Sequence, residues 1–479
     1  MMVSFNVLDA PWIPAITAEG TEELLGIRQA LLRAHELREI SSISPLEEYG
    51  VYRFLGLFLM DALRPRRESD IEDLLDAGRF DPAAIEAYIV LCESEGVSFD
   101  LFDEKRPFLQ SPPDTAMDGE RKAVSTLDCT RPSGNNHTHF LHASDNQAKL
   151  EPGKAMRLLL TTYLFSTVAA QGYPSGAYGA PPYFGVIVGK SLFETLTNCL
   201  LPTEFIGIPL DTPPVLWRRT EPVVPKREVG ASSWLQTMLF PNRRVRLIPD
   251  ETGFVSGVFL CQGENYVNKE SWRDPYVTYR KNETSVYPMR PSSERAVWRN
   301  FCDIVDRRGG GASQLLRFYP SVHDSDTVEL RLYGAETSKA SYLGIYRHSL
   351  RFPLSVAKDE NSRLLLQRGI AVSEDLAKAL GRAMASVKEL SGAAAAQAVR
   401  QFLRDCETRF WLLCDAVGAR GPEETLYQQF CEDVSAAAVG TYSTVVSEAN
   451  LRARALAASA EGRTVLMRSI EKLKKEARM

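Results

Sequence analysis

Between about Thr21 and Pro65, apolar residues recur twice at helical spacing. The first stretch carries Leu24, Leu25, Leu31, Leu32 and Leu37, and the second Tyr52, Phe54, Leu55, Phe58, Leu59 and Leu63. This predicts two amphipathic helices, with Pro65 closing the second. From about Phe102 to Arg368 the apolar runs shorten and Pro and Gly interrupt them, with strand-like alternation in Tyr276-Val277-Thr278-Tyr279 and Val328-Glu329-Leu330-Arg331-Leu332. From Ser373 onward there is one proline, Pro422, amid abundant Ala, Leu, Glu, Arg and Lys, which is helical composition. Breaks at Ser391-Gly392, from Gly418 to Pro422, and near Ser447 to Asn450 divide this region into about four helices, with Ser373 and Ser391 as N-caps, and short loops imply an antiparallel bundle. The predicted fold class is α+β: a large mixed domain over residues 1–371 followed by a C-terminal four-helix bundle over 372–479.

Length agrees with two folded units, since 479 residues exceed one average core. A net charge of -5 and a pI near 5.9 argue against coating DNA through bulk charge. Any nucleic-acid contact must be local. The eight cysteines are scattered singly, with no C-x-x-C pair, and read as reduced, mostly packed thiols. The first residues lack a basic region followed by an apolar run, and no stretch approaches the roughly 18 apolar residues of a membrane span. A cytoplasmic protein with no membrane partner is expected.

Three of the six histidines, His137, His139 and His142, cluster in one polar stretch. Two readings stand: imidazoles that stack on or hydrogen-bond to a partner, or half of a metal site completed elsewhere, for which His323-Asp324 is the one obvious candidate. The glycine-bearing stretch Gln171 to Pro182 follows an apolar run and lets backbone amides approach a phosphate or base edge, with Tyr173 and Tyr178 available to stack. It matches no nucleotide-binding fingerprint, and a surface turn without ligand is its plain alternative. Basic residues interleave with aromatics at Trp217-Arg218-Arg219, Arg243-Arg244-Val245-Arg246 and Tyr279-Arg280-Lys281, as phosphate contacts beside stacking surfaces require, although solvated loop charge explains such clusters too. No hydrolase elbow, zincin helix or kinase set is present. Local nucleic-acid contact is therefore one reading, a metal-dependent nuclease or phosphodiesterase built around His137, His139 and His142 a second, and a helical scaffold binding only protein a third.

The opening Phe5-Asn6-Val7-Leu8-Asp9-Ala10-Pro11-Trp12-Ile13-Pro14 resembles the N-terminal signature of the CasA family, the large subunits of type I-E CRISPR surveillance complexes (Cascade). Arg106-Pro107-Phe108-Leu109-Gln110, the glycine stretch followed by Phe193-Glu194-Thr195-Leu196, and a closing four-helix bundle follow in the family's order. The resemblance implies a subunit without catalytic site or cofactor. It implies docking near the handle of the CRISPR RNA beside other Cascade subunits, reading of a protospacer-adjacent motif on double-stranded target DNA, duplex opening, and support for a recruited helicase-nuclease in antiviral defence.

Residue by residue, the family's handle-contacting stretch falls on Asn136 and on Phe140-Leu141-His142, where the family has Phe-Val-Asn. This implies binding to RNA or a neighbouring subunit without metal. The motif-reading glycine loop corresponds to Gln171, Gly172, Tyr173, Gly176 and Gly179, and the family's lysine finger to Lys281 or Arg280. The wedge hairpin corresponds to Gly334 through Ser341, with Ser338 beside Lys339, which stands where the family carries glutamine. Lysine lacks glutamine's two-sided hydrogen bonding but fills a base step and reaches a phosphate.

Overall fold

A computed structural model describes residues 3–112, 121–128, 148–166, 178–230, 233–267, 273–281, 285–338, 341–387, 390–449 and 453–476. The chain forms two compact units: Met1–Glu294 with Ala312–Asp324 and Glu329–Leu350, and Arg295–Gly311 with Ser325–Val328 and Arg351–Met479. In the first unit, strand Ile13–Thr17 is the centre of an antiparallel sheet, flanked by Glu22–Leu25 and Leu37–Ile40. Ile13, Ala15 and Thr17 alternate into the core, and the register sets Ile13 opposite Leu25 and Ala15 opposite Ile40. The first predicted amphipathic helix is therefore corrected: Thr21 to Leu37 is a strand, a six-residue helix at Ile27–Leu32 and the start of a second strand. Leu24 is exposed while Leu25 is buried. Pairing with the neighbouring Ile13–Thr17 strand, with Ile16 opposite Glu22, overrode a short pattern that fits either period.

The second predicted helix forms at Pro45–Leu63, with Pro45 in its first turn and Glu47 and Glu48 at its positive end. It ends at Arg64, whose backbone is left-handed at φ 48, before Pro65. Here too the expectation needs correction. Every residue from Leu46 to Asp61 is buried, so the helix is enclosed on all sides, not amphipathic. Glu47, Glu48, Arg53 and Asp61 go into the core with it.

A second sheet has the order Ser341–Pro353, Thr327–Ser338, Phe184–Val188, with Glu329 opposite Val188 and Tyr333 opposite Phe184 in an antiparallel register. The alternation over Val328 to Leu332 thus marks a true strand. Of Tyr276 to Tyr279, only Tyr279 enters a strand, Tyr279–Lys281, which pairs antiparallel with Val286–Pro288. The preceding residues turn because Asp274 binds the Tyr276 amide at 2.8 Å and its carbonyl accepts from Val277 N at 3.1 Å.

In the second unit, helices Glu360–Ala385, Gly392–Arg420, Glu424–Glu448 and Ala453–Glu476 pack as a bundle in which the first touches the other three. Its buried positions include Leu365, Leu366, Gly369, Ile370, Val372, Ser373, Leu376, Ala377, Leu380, Ala383 and Met384, a stripe wide enough for three neighbours. Ser391 caps its helix, its Oγ accepting from Ala394 N at 3.2 Å. Ser373 does not. It lies buried mid-helix, its hydroxyl donating to Gly369 O at 2.9 Å, and the cap is Asp359, which accepts from Ser362 N at 2.7 Å. Trp298 and Phe301 pack on Phe410, at centroid distances of 5.3 and 5.6 Å, and Glu374 pairs with Arg299 at 2.9 Å.

Replacing the cap, Ser391→Ala, should lower stability by about 1 kcal/mol in urea denaturation followed by circular dichroism. An unchanged midpoint would mean that the cap is not formed.

Candidate nucleic-acid interface

Arg53 and Asp274, both fully buried, face one another as a two-point ion pair with Nη1 to Oδ1 at 3.0 Å. Arg53 Nε also donates to Met238 O at 3.1 Å, and its guanidinium lies 4.6 Å from the Tyr276 ring centroid. Burial works against the Arg53 charge, but Asp274, with Tyr49 and Tyr178, more than offsets it and holds its pKa well above the ordinary value. The Tyr178 hydroxyl donates to Asp274, and the Tyr279 hydroxyl accepts from Asp274 N at 2.8 Å. One buried pair therefore fixes both Tyr178, within the glycine stretch, and the residue that opens the Tyr279–Lys281 strand. Burial, then Asp274, pushes the Tyr178 phenol well above its usual range, so it remains a donor. The expectation that Tyr178 stacks on a base is corrected: its hydroxyl is committed to Asp274, and its ring packs edge-on against Phe184 at 5.4 Å.

The same helix fixes what lies before the glycine stretch. Glu47 pairs with Lys154 and, at 2.8 Å, with Arg157, both on helix Pro152–Phe165. Arg157 also donates to Trp12 O at 2.7 Å, while Trp12 Nε1 donates to Val7 O at 2.9 Å and its ring meets Phe54 at 5.7 Å. The opening sequence signature is thus a core anchor. One turn position further on, Glu48 accepts from the Tyr333 hydroxyl at 2.6 Å, from Arg331 at 3.3 Å and from Arg347 at 2.8 Å. These three lie on the strands that lead to and from Lys339. The Tyr342 hydroxyl donates to Phe165 O, tying the returning strand to the helix end ahead of the glycine stretch.

The segment Met289–Ser293 laces these parts together. Met289 is buried, its amide donating to Thr278 O and its carbonyl accepting from Tyr183 N, both at 2.8 Å. Pro291 packs so closely on Gly334 that a β-carbon there would lie 2.5 Å from its Cγ, which only glycine avoids. Ser293 N donates to Glu336 Oε2 at 2.9 Å, and the Tyr346 hydroxyl donates to the same oxygen at 2.8 Å.

Among the residues expected to contact DNA, Gly179 sits at φ 78, Arg280 is partly buried and Lys281 exposed on their strand, and Ser338 is exposed at the end of Thr327–Ser338. Gln171, Gly172, Tyr173, Gly176 and Lys339 lie outside the described residues, as do Asn136, Phe140, Leu141 and His142 with His137 and His139. Sequence reasoning missed Arg53, Asp274, Glu48 and the Met289–Ser293 segment. The first two are 221 positions apart, and no local pattern pairs them.

Two of the three basic-aromatic clusters are corrected. Trp217 is buried with Nε1 donating to the Tyr88 hydroxyl at 2.9 Å, Arg218 pairs with Asp61 at 3.0 Å and Glu95 at 2.6 Å, and Arg219 pairs with Glu264 at 2.7 Å. Burial alone would raise the Glu264 pKa, but Arg219 and Arg227 more than offset it and hold the carboxyl below its ordinary value. Arg243 and Arg244 are buried against backbone carbonyls of Asn242 and Gln262, and Arg246 lies over the Phe259 ring. Buried in this way, Arg243 and Arg244 are neither phosphate ligands nor solvated charge, and Arg246 is half-buried. The Arg106 motif is likewise internal: Arg106 donates to carbonyls of Glu95, Gly96, Trp217 and Arg219, and Gln110 accepts from Leu247 N.

His323 donates from Nε2 to Asn198 Oδ1 at 2.7 Å, stacks on Tyr319 at 4.1 Å, and has its pKa depressed by burial. Among the described residues no three His, Cys, Asp or Glu side chains gather as metal ligands. None of the described helices is long and apolar enough to cross a membrane, and the described cysteines are unbridged.

A mixed α+β body carrying cationic loop ends, with a C-terminal four-helix bundle, defines the class. The chain belongs to the Cse1 family of CRISPR-associated proteins, whose family model matches residues 6–440. A CasA/Cse1 protein of Thermus thermophilus is 29% identical over 403 residues, covering 78% of this chain and 76% of the relative. The solved CasA (Cse1) structure from Thermus thermophilus superposes with a TM-score of 0.79 at 25% identity, covering 98% of this chain and all of its own. Cse1 from Acidimicrobium ferrooxidans has the same fold, with a TM-score of 0.82 at 19% identity and 99% of each chain covered. A chain in the structure of a CRISPR RNA-guided surveillance complex shares it too, with a TM-score of 0.77 at 22% identity, covering 97% of this chain and 99% of that one.

Removing one partner of the buried pair, as in Arg53→Met, should destabilise the protein by about 3–5 kcal/mol, because Asp274 would remain buried without a counter-charge. Arg53→Met with Asp274→Leu should recover part of the loss. Urea denaturation of the three proteins measures this, and equal losses in the single and double variants would contradict it.

Proposed function

We propose that this chain is the large, non-catalytic subunit of a type I-E CRISPR RNA-guided surveillance complex, where it reads a short motif on duplex DNA and helps open the duplex. The observation that carries the reading is the lacing of three segments by Met289–Ser293: the residues after the glycine stretch, the Lys281 strand and the strands flanking Lys339. Family membership and the shared fold with a chain of such a complex support it.

On this reading Gln171, Gly172, Tyr173, Gly176 and Gly179 let the backbone approach the minor groove, where A·T and T·A present similar acceptors, so the motif preference is relaxed. Arg280 or Lys281 holds a phosphate. Ser338, at the end of its strand, and Lys339 enter beneath the motif as base pairs part. Sequence identity is then tested by pairing with the CRISPR RNA, so an acidic protein needs few DNA contacts of its own. Asn136, Phe140, Leu141 and His142 contact the RNA handle or a neighbouring subunit, and the opened complex recruits a helicase-nuclease in the cytoplasm.

In a complex reconstituted with guide RNA, Lys281→Ala should weaken binding of motif-bearing duplex and reduce the salt slope by about one. Lys339→Ala should slow opening more than it weakens first binding, with a pre-opened target restoring the rate. Failure of the chain to join any guide-RNA complex, or equal binding of motif-bearing and scrambled duplex by the assembled complex, would refute the proposal.

A further inference from the structure

We infer that Arg290 is a further DNA-binding residue, its guanidinium taking a phosphodiester oxygen pair of the duplex beside Gly179. This rests on the function proposed above. Arg290 is exposed, yet its backbone sits between two fixed neighbours. Met289 is held from both sides by Thr278 and Tyr183, and Pro291, with a fixed φ, is pressed onto Gly334. Ser293 is then tied to Glu336 on the hairpin strand. The side chain leaves this rigid base toward the glycine stretch: its Nη2 lies 3.9 Å from where a β-carbon on Gly179 would stand.

Its surroundings separate it from the arginines of the conspicuous basic clusters and of the core. Arg53, Arg218 and Arg219 are taken up by carboxylates, and Arg106, Arg243 and Arg244 donate to backbone carbonyls. Arg290 instead stands exposed two residues beyond the strand Val286–Pro288, whose register sets Tyr287 opposite Arg280 and Val286 opposite Lys281. Cations therefore belong to both strands of the pair: Arg280 and Lys281 lie on one, and Arg290 lies just past the end of the other. The planar fork of arginine suits two phosphate oxygens at once, which a lysine ammonium does not reproduce. A rigid base lowers the ordering cost of that contact. Because a phosphate carries no sequence information, Arg290 would position the duplex against the glycine stretch without choosing the motif.

The test uses the reconstituted complex with guide RNA and measures duplex affinity across a salt series for wild type, Arg290→Ala, Arg290→Lys, Arg290→Glu and Lys281→Ala. Arg290→Ala should weaken binding by about five- to tenfold for motif-bearing and scrambled duplex alike and reduce the salt slope by about one. Arg290→Lys should keep most of the slope with part of the affinity, and Arg290→Glu should lose more than Arg290→Ala. Unchanged affinity and slope in Arg290→Ala and Arg290→Glu, with Lys281→Ala weakened, would overturn the Arg290 assignment and leave the proposed function standing. No effect from any Arg290 variant, together with equal binding of motif-bearing and scrambled duplex by the wild-type complex, would overturn both. Loss of guide-RNA assembly with normal DNA affinity of the assembled complex would make Arg290 an RNA contact and also overturn the inference.

Discussion

Four charged side chains on the enclosed helix Pro45–Leu63, namely Glu47, Glu48, Arg53 and Asp61, govern where the surrounding segments lie. Leaving such a charge unpaired in the interior costs several kcal/mol, and each here meets partners far away in the chain. Glu47 takes Lys154 and Arg157, Glu48 takes Arg331, Tyr333 and Arg347, Arg53 takes Asp274, and Asp61 takes Arg218 with Tyr88. Apolar burial drives the collapse but has no direction. The ion pairs supply direction, since each is satisfied in one arrangement of the segments.

That arrangement shapes the proposed DNA interface. The residues bounding the glycine stretch, the start of the Lys281 strand and both strands flanking Lys339 all bond to this helix or to a residue that does. Short-range order in such a surface follows from long-range pairing in the core, which suits recognition by a few contacts on an acidic chain. Most arginines of the conspicuous basic clusters serve the interior, and the exposed cations of the interface are fewer and better supported than composition suggests. Lys281 and Arg290 rise from a strand pair and its continuation whose backbone is bonded on both sides.

Legibility in the sequence followed the range of the interactions. The helices of the bundle and their breaks near Ser391, Gly421 and Asn450 were readable because helix formation is local, and the cap at Ser391 announced itself. Ser373 misled because the compositional change near Val372 falls inside the helix Glu360–Ala385. The strand around Val328 to Leu332 was readable from its period of two. Thr21 to Leu37 was not, since its leucines fit two periods and the choice rested on pairing with the strand just before it. The opening signature and the Arg106 motif were legible as family marks, and the structure shows their physical task to be packing and backbone capture.

By itself the sequence determined the family, the α+β class, the helical bundle and the small set of segments in which cations accompany glycine or aromatic residues, because motif order and local periodicity survive without coordinates. Only the tertiary structure decided which cations face outward. Trp217-Arg218-Arg219 and Tyr279-Arg280-Lys281 look alike as strings, yet one is closed around Asp61, Glu95 and Glu264 and the other presents Lys281. The difference lies in carboxylates supplied from elsewhere in the chain, whose positions no local pattern encodes.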